Sequence, residues 1–369
     1  MSRNLQPPII SILMDNLSVG GAELVAVNLA NGFVQSGFRV DMVLSNASGE
    51  FLPKLRQEVR IIDLKTSRLR WTFIPYLRYL LQYKPDSVLA CMWPLSVIAI
   101  LACKLSLIKC RVVVAEHTTW SRSDSGRLPG GHGMVASTMH MLFPYAGNVV
   151  AVSKGVADDL AVFANIAPEC IKVIYNPVVH SEEPVLNEPV VPEGWCFGTH
   201  HRILAVGALR PIKDFTTLLN AFSLLYKRLD VRLLILGEGE SRSLLEAQVA
   251  DLGIKDVVFM PGFIKDPASY FRHADLHVLS STGEGLPTVI IEAIANGTPV
   301  VSTDCPSGPR EILDGGKYGD LVPVGDFKAL ADAMFDSLNR VIDVDALAER
   351  AKEFSVDKAV NQYLEVLLS

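Results

Sequence analysis

Glu284-Gly285-Leu286-Pro287-Thr288-Val289-Ile290-Ile291-Glu292, running on through Asn296-Gly297-Thr298-Pro299, sets two carboxylates eight positions apart across the start of a helix. The pattern predicts a strand over Ala274 to Ser280, a helix with Pro287 at its first position, and Gly297 closing it before a second strand-like run, Thr298 to Ser302. Gly285 frees the backbone for close approach to a ligand. A glycine loop and an open helix start at the carboxyl end of a strand is where α/β proteins bind anions such as a diphosphate. Taken alone, the same residues also describe a capped amphipathic helix with two solvated acids.

Further strand-end turns flank this one along the chain. Arg202-Ile-Leu-Ala-Val-Gly207 reads as a strand that turns through Ala208-Leu209-Arg210-Pro211-Ile212-Lys213-Asp214-Phe215 into a helix, presenting two cations, Arg210 and Lys213. Ile9 to Met14 reads as a buried strand, then Leu17-Ser18-Val19-Gly20-Gly21-Ala22-Glu23 leads into a helix carrying Leu24, Val27, Asn28 and Ala30. Val112 to Ala115 ends in Glu116-His117-Thr118. Val149 to Val152 precedes another helix start, and Val257 to Phe263 ends in Pro261-Gly262-Phe263. Leu233 to Gly237 runs into Glu238-Gly239-Glu240. Arg242 stands where a dinucleotide fingerprint needs its third glycine, so that reading is set aside.

Short β-branched strands alternating with helical stretches argue for parallel α/β sheets in both halves. With 369 residues, 49% of them hydrophobic, the chain has material for two cores. Pro177 to His200 is rich in Pro, Glu and Val without helical periodicity and reads as a linker. The expected layout is an amino-terminal domain over 1–180, a linker over 181–200, a second domain over 201–350 and a closing helix over 351–369. No stretch reaches the eighteen or so uninterrupted apolar residues of a membrane span, and the amino terminus does not read as a signal peptide. Six cysteines without a Cys-x-x-Cys pair make zinc and a disulfide framework poor fits and point to a reducing cytoplasm.

Residues 1 to 180 hold 17 Lys and Arg against 12 Asp and Glu, net +5; the remainder, 17 against 28, is net −11. In the basic half, Arg68-Leu-Arg70-Trp71-Thr-Phe73-Ile-Pro75-Tyr76-Leu-Arg78-Tyr79 interleaves cations with aromatics. This stretch fits an anionic membrane surface or a lipid diphosphate, and equally a helix packed on its own sheet with snorkelling arginines. Pro75 is expected to break any long amphipathic helix there. Nucleic acid is not an expected partner, since no binding motif is present.

The Glu-x7-Glu segment and its neighbours resemble the retaining glycosyltransferases of family 4, which have the two-lobed GT-B architecture and use nucleotide-activated sugars. The resemblance runs from about residue 9 to 365. It implies two Rossmann-like parallel-sheet domains with an interdomain cleft: an acceptor-binding domain first, a nucleotide-sugar domain second, and a final helix that crosses back to the first. It implies that Arg210 and Lys213 grip the donor diphosphate and steady the leaving group. Lys213 matches the family lysine, whereas the arginine usually stands where this chain has Ala208. His117 matches the histidine that faces the donor sugar. Glu284 would hold sugar hydroxyls and Glu292 the ribose hydroxyls, while Gly20, Gly21, Phe263, Gly285, Leu286 and Thr288 complete the donor-binding set.

Breaking a bond between an anomeric carbon and a diphosphate leaves negative charge on the phosphates, so stabilising cations belong there. With Arg210, Lys213 and the helix start after Gly285 supplying the field, neither metal nor cofactor is expected. The resemblance implies retention of anomeric configuration, with the donor phosphate taking the acceptor proton, and closure of the two lobes around the donor. The expected reaction transfers a hexose or N-acetylhexosamine, from UDP by expectation, to a lipid-linked glycan in bacterial surface-polysaccharide assembly. Peripheral contact with the inner membrane face is part of that expectation. Alternatives are a nucleotide-sugar epimerase of the same architecture, a non-catalytic nucleotide-sugar-binding partner, and a two-lobed solute receptor, which the missing signal sequence disfavours.

Overall fold

The computed structural model describes residues 7–18, 20–122, 131–180, 192–196 and 198–369. The chain divides into two compact units, Met1–Val178 with Ser355–Ser369, and Val179–Phe354.

The first unit runs β1 (Ile9–Met14), α1 (Gly21–Gln35), β2 (Arg39–Leu44), β3 (Arg60–Asp63), α2 (Phe73–Tyr83), β4 (Ser87–Cys91), α3 (Leu95–Ser106), β5 (Arg111–Glu116), α4 (Gly131–Leu142), β6 (Asn148–Ala151), α5 (Lys154–Phe163) and β7 (Ile171–Val173). Its seven strands are parallel, in the order β3-β2-β1-β4-β5-β6-β7. Val113, Val114 and Ala115 are successive and all buried, the mark of a parallel strand covered on both faces. From β1 the chain moves one way along the sheet to β2 and β3; from β4 it moves the other way. Right-handed crossovers therefore put α1 on one face and α3 to α5 on the other.

The second unit comprises α6 (Glu193–Cys196), β8 (His201–Val206), α7 (Phe215–Tyr226), β9 (Val231–Leu236), α8 (Arg242–Asp251), β10 (Val258–Gly262), α9 (Ala268–His273), β11 (Leu276–Leu279), α10 (Thr288–Ala295), β12 (Val300–Thr303), α11 (Pro309–Ile312), β13 (Asp320–Val322), α12 (Phe327–Leu338) and α13 (Val344–Ala351). Its six parallel strands follow the order β10-β9-β8-β11-β12-β13. Strand order reverses between β1 and β4 in the first sheet and between β8 and β11 in the second. Open α/β sheets bind ligands outside the carboxyl ends of strands at such points.

The last helix, α14 (Val356–Leu368), is part of the first unit. Its buried residues Val356, Ala359, Val360, Tyr363, Val366 and Leu367 form one stripe that joins Ile10, Ile12 and Phe33 in a core. Gly32 of α1 lies so close that a Cβ there would run into Val360 Cγ2. At the far end Arg111 Nε and Asn148 Nδ2 both donate to Val366 O, at 2.7 and 3.1 Å, satisfying a carbonyl that the helix terminus leaves open.

Several local expectations change. The strand before the Glu-x7-Glu segment spans Leu276–Leu279 only, and α10 begins at Thr288 with Pro287 just outside it, its ψ of 106° being extended rather than helical. No long helix runs through residues 68–79: Leu69–Trp71 is a short 3-10 turn and α2 starts at Phe73, with Pro75 in its first turn, where its missing N–H has no helical partner to lose. Residues 181–191 and 197 of the expected linker lie outside the described residues. Within the remainder Trp195 is fully buried and its Nε1 donates to Ile203 O at 3.3 Å, so this piece belongs to the second unit's core. Among the described residues no helix is long and apolar enough to cross a membrane.

Candidate functional site

In the second unit the turns after β8 and β11 meet at the point where strand order reverses. Lys213 ends a short 3-10 turn, Pro211–Lys213, which proline can open because its fixed φ suits the first position. Lys213 Nζ lies 2.6 Å from Glu284 Oε1, and Ser281 Oγ donates to the same oxygen at 2.6 Å. Both partners are largely buried, with 22% and 11% of their side chains exposed. Main chain ties the turns together: Thr282 N donates to Ile212 O at 2.8 Å, and Ser280 Oγ to Lys213 O at 2.8 Å. Lys213 and Glu284, 71 positions apart in the chain, are therefore one unit of charge held by a rigid frame.

The remaining residues of this group fall around the pair. Gly285 O accepts from Ser307 Oγ at 2.7 Å, pinning the loop to the turn after β12, and Leu286 and Thr288 are buried. No side chain caps the start of α10, which keeps the positive end of that helix available to an anion. Glu292 lies one turn into α10, half-buried. Phe263 follows β10 and is half-buried. Arg210 is exposed, on extended backbone, and among the described residues no carboxylate pairs with its guanidinium. Cys305 is buried nearby, and burial, with Glu284 beside it, pushes its thiol up to about 12, so it stays protonated.

The turn after β9 explains Gly237-x-Gly239. Gly237 has φ 152°, and a Cβ on it would run into Gly207 O. Leu209 N donates to Glu238 O at 2.8 Å and Ser241 N to Leu209 O at 2.9 Å. These glycines pack one strand-end turn on another.

In the first unit, Gly20 precedes α1 in extended backbone, φ −177°, and no side chain caps the helix. That conformation is open to any residue; what a Cβ at Gly20 would meet is the Glu23 carboxylate. Gly21 is exposed at the first helical position. His117 follows β5. Neither ring nitrogen of His117 has a hydrogen-bond partner among the described residues, and burial alone lowers its pKa to about 4, so it is neutral near pH 7.

Two family models match the chain: Glycosyltransferase Family 4 over residues 19–182 and Glycosyl transferases group 1 over residues 200–340. The chain belongs to the glycosyltransferases of this kind. It is 27% identical to the N-acetylgalactosamine-N,N'-diacetylbacillosaminyl-diphospho-undecaprenol 4-alpha-N-acetylgalactosaminyltransferase of Campylobacter jejuni, over 97% of this chain and 99% of the relative. It is 25% identical to the amylovoran biosynthesis glycosyltransferase AmsD of Erwinia amylovora, over 83% and 84%. Among solved structures, Anabaena HepE in complex with UDP-glucose superposes with a TM-score of 0.80 at 21% identity, covering 98% of this chain and 99% of that one. The fold is GT-B.

Some residues that shape these strand ends were not singled out as site residues from the sequence. Ser280, Ser281 and Ser307 fix the turns around Lys213, Glu284 and Gly285; their signal is the serine pair two positions before Gly283-Glu284. Glu116, directly before His117, is fully buried and accepts from Trp120 Nε1 at 3.0 Å and Ser96 Oγ at 3.2 Å. Burial pushes its pKa up to about 7, against those two hydrogen bonds. Among the described residues no cluster of three or more His, Cys, Asp or Glu side chains offers a metal site.

Proposed function

We propose that this glycosyltransferase moves a hexose or N-acetylhexosamine from a UDP-sugar to a lipid-linked glycan, with retention of configuration and without a bound metal ion. The observation that carries the reading is the Lys213–Glu284 pair at the carboxyl ends of β8 and β11. As the bond to the diphosphate breaks, charge grows on the phosphate oxygens. A donor there displaces Glu284 from Lys213, so that the ammonium turns to the phosphates and the carboxylate is released to the sugar hydroxyls. The uncapped start of α10 and the exposed Arg210 add to the same field. Neutral His117 accepts or donates a hydrogen bond to the sugar without adding charge. Glu292 accepts from the ribose hydroxyls.

Donor and acceptor class are supported by the relatives: the Campylobacter enzyme is named for a diphospho-undecaprenol acceptor, and HepE was solved with UDP-glucose. The test is release of nucleoside diphosphate from a panel of UDP-, GDP- and ADP-sugars, with and without a membrane lipid extract. Lipid-dependent release from a UDP-sugar, insensitive to chelator and giving a retained linkage by proton NMR, is expected. Chelator-abolished release rejects the metal-free part, and an inverted linkage rejects retention.

A further inference from the structure

Four tryptophans stand in the chain, and Trp93 is placed unlike the others. Trp120 and Trp195 are buried and Trp71 is 60% exposed, whereas Trp93, in the turn after β4, is half-buried and held from three sides. Its Nε1 donates to Thr138 Oγ1 of α4 at 3.0 Å, its backbone N–H donates to the Glu116 carboxyl, and its ring stands edge-on to Trp120 with centroids 6.2 Å apart. Trp120 is fixed in turn by Glu116 and by stacking on Phe163. Met92, just before Trp93, lies in the left-handed region, φ 64°, where a residue with a side chain is strained. Such strain persists only where the surrounding structure holds it, and it gathers at binding sites.

The turn lies at the first sheet's switch point. Leu13 pairs with Ala90 and Cys91 with Ala115, so Asp15, Trp93 and His117 follow the carboxyl ends of the neighbouring strands β1, β4 and β5. Asp15 is exposed there. No Lys or Arg stands at residues 15–18, 92–94 or 116–120, so these strand ends offer no side-chain cation to a phosphate. A rigid indole with a carboxylate on the next strand end suits a neutral pyranose, whose C–H face stacks on the ring while a hydroxyl donates to the carboxylate. We propose that Trp93 and Asp15 form the subsite for the accepting sugar, Trp93 as the platform under the ring and Asp15 accepting a hydrogen bond from one of its hydroxyls. This deepens the transferase reading and rests on it: there His117 meets the donor sugar, and the strand end beside His117 is where the receiving ring belongs.

Saturation-transfer NMR on the full chain with UDP tests this against the methyl α-glycosides of glucose, galactose, N-acetylglucosamine and N-acetylgalactosamine. Magnetisation should pass to at least one glycoside, be lost in Trp93→Ala and be kept in Trp93→Phe, which preserves a flat ring without the bond to Thr138. This readout needs no turnover, so its failure is separate from failure of the transferase reading. With UDP-sugar and a membrane lipid extract, Trp93→Ala should raise the apparent acceptor KM about tenfold and Asp15→Asn about threefold, while UDP affinity by calorimetry stays the same. Thr138→Val removes the hydrogen bond but keeps the indole, and it should leave the acceptor KM unchanged; a rise equal to that of Trp93→Ala would make the role of Trp93 structural. The subsite is also overturned by no transfer to any of the four glycosides, or by transfer that survives in Trp93→Ala. A fall in UDP affinity in that variant would give the ring to the nucleobase instead.

Discussion

The strand ends of the two units are built on opposite electrostatic plans. In the second unit an ammonium and a carboxylate are locked together at 2.6 Å, with hydroxyls and main-chain hydrogen bonds fixing the turns that carry them. In the first, β5 ends in a carboxyl pushed up to about 7 and an imidazole pushed down to about 4, both driven towards neutrality by burial. A diphosphate needs charge already in place, because reorganising dipoles at the moment of bond breaking is costly. A sugar ring, uncharged and dense in hydroxyls, is better met by neutral donors and acceptors. The contrast fits the proposed reading, in which Lys213 meets phosphate and His117 meets sugar.

The largest break in that comparison should come from Lys213→Ala. Removing the ammonium leaves Glu284 without its 2.6 Å partner and, on the proposed reading, takes a cation away from the diphosphate. Transfer should fall by about 10²–10³-fold in kcat, by the scale of a lost charge-stabilising donor. Product formation under saturating donor is the measurement; a loss confined to KM would mean Lys213 binds substrate and transition state equally.

Backbone tests sharpen the same contrast. Gly237→Ala places a methyl group against Gly207 O at φ 152° and should destabilise the second unit by about 3 kcal/mol. Gly20→Ala, in extended backbone, asks only the Glu23 side chain to move aside and should cost within about 1 kcal/mol. Urea unfolding of both variants compares them directly; equal losses would mean the first unit's turn is as tightly packed as the second's.

Protonation separates the units next. Glu116 binds a proton in the folded chain up to about pH 7 but in the unfolded chain only to about 4.5. Its contribution to stability is therefore full below about 4.5 and is lost as pH rises through 7. His117 runs the other way: its folded pKa of about 4 lies under the unfolded 6.5, so stability falls as pH drops from 6.5 to 4. Glu116→Gln should remove the loss on the alkaline side, gaining about 2 to 3 kcal/mol on the unmodified chain between pH 4.5 and 8. Unfolding curves across that range that stay parallel would reject a neutral Glu116.

Much of this was legible in the chain itself, for reasons that differ by residue. Strands β1 and β5 announce themselves because parallel strands buried on both faces are continuous apolar runs. The Lys213 turn shows as proline and charge at a strand end. Pairing of Lys213 with Glu284 does not show, since 71 residues separate them and only the β8–β11 neighbourhood joins them. Pro75 marks the start of α2, because proline is tolerated in a first turn and not in a helix interior. A closing helix was expected over 351–369 and the resemblance sent it back to the first domain, but its own residues did not show which surface covers it. That choice depends on Gly32 leaving room for Val360 and on Arg111 meeting Val366 O, which are tertiary facts.

The smallest effect is the most specific. Glu292 stands four residues after Thr288, so both lie on one face of α10, one turn from its uncapped start. There a carboxylate is placed within one helical turn of the end that the proposed reading gives to the diphosphate. The proposed role is to accept from two ribose hydroxyls by charge-assisted hydrogen bonds. Glu292→Gln keeps the shape and gives up the charge, so UDP affinity should fall about tenfold, roughly 1.4 kcal/mol, in a calorimetric titration. His117→Ala in the first unit should leave the affinity for UDP itself unchanged while weakening UDP-sugar. Equal UDP affinity in Glu292→Gln would remove the ribose role, and a drop in His117→Ala would erase the division of phosphate and sugar between the two units.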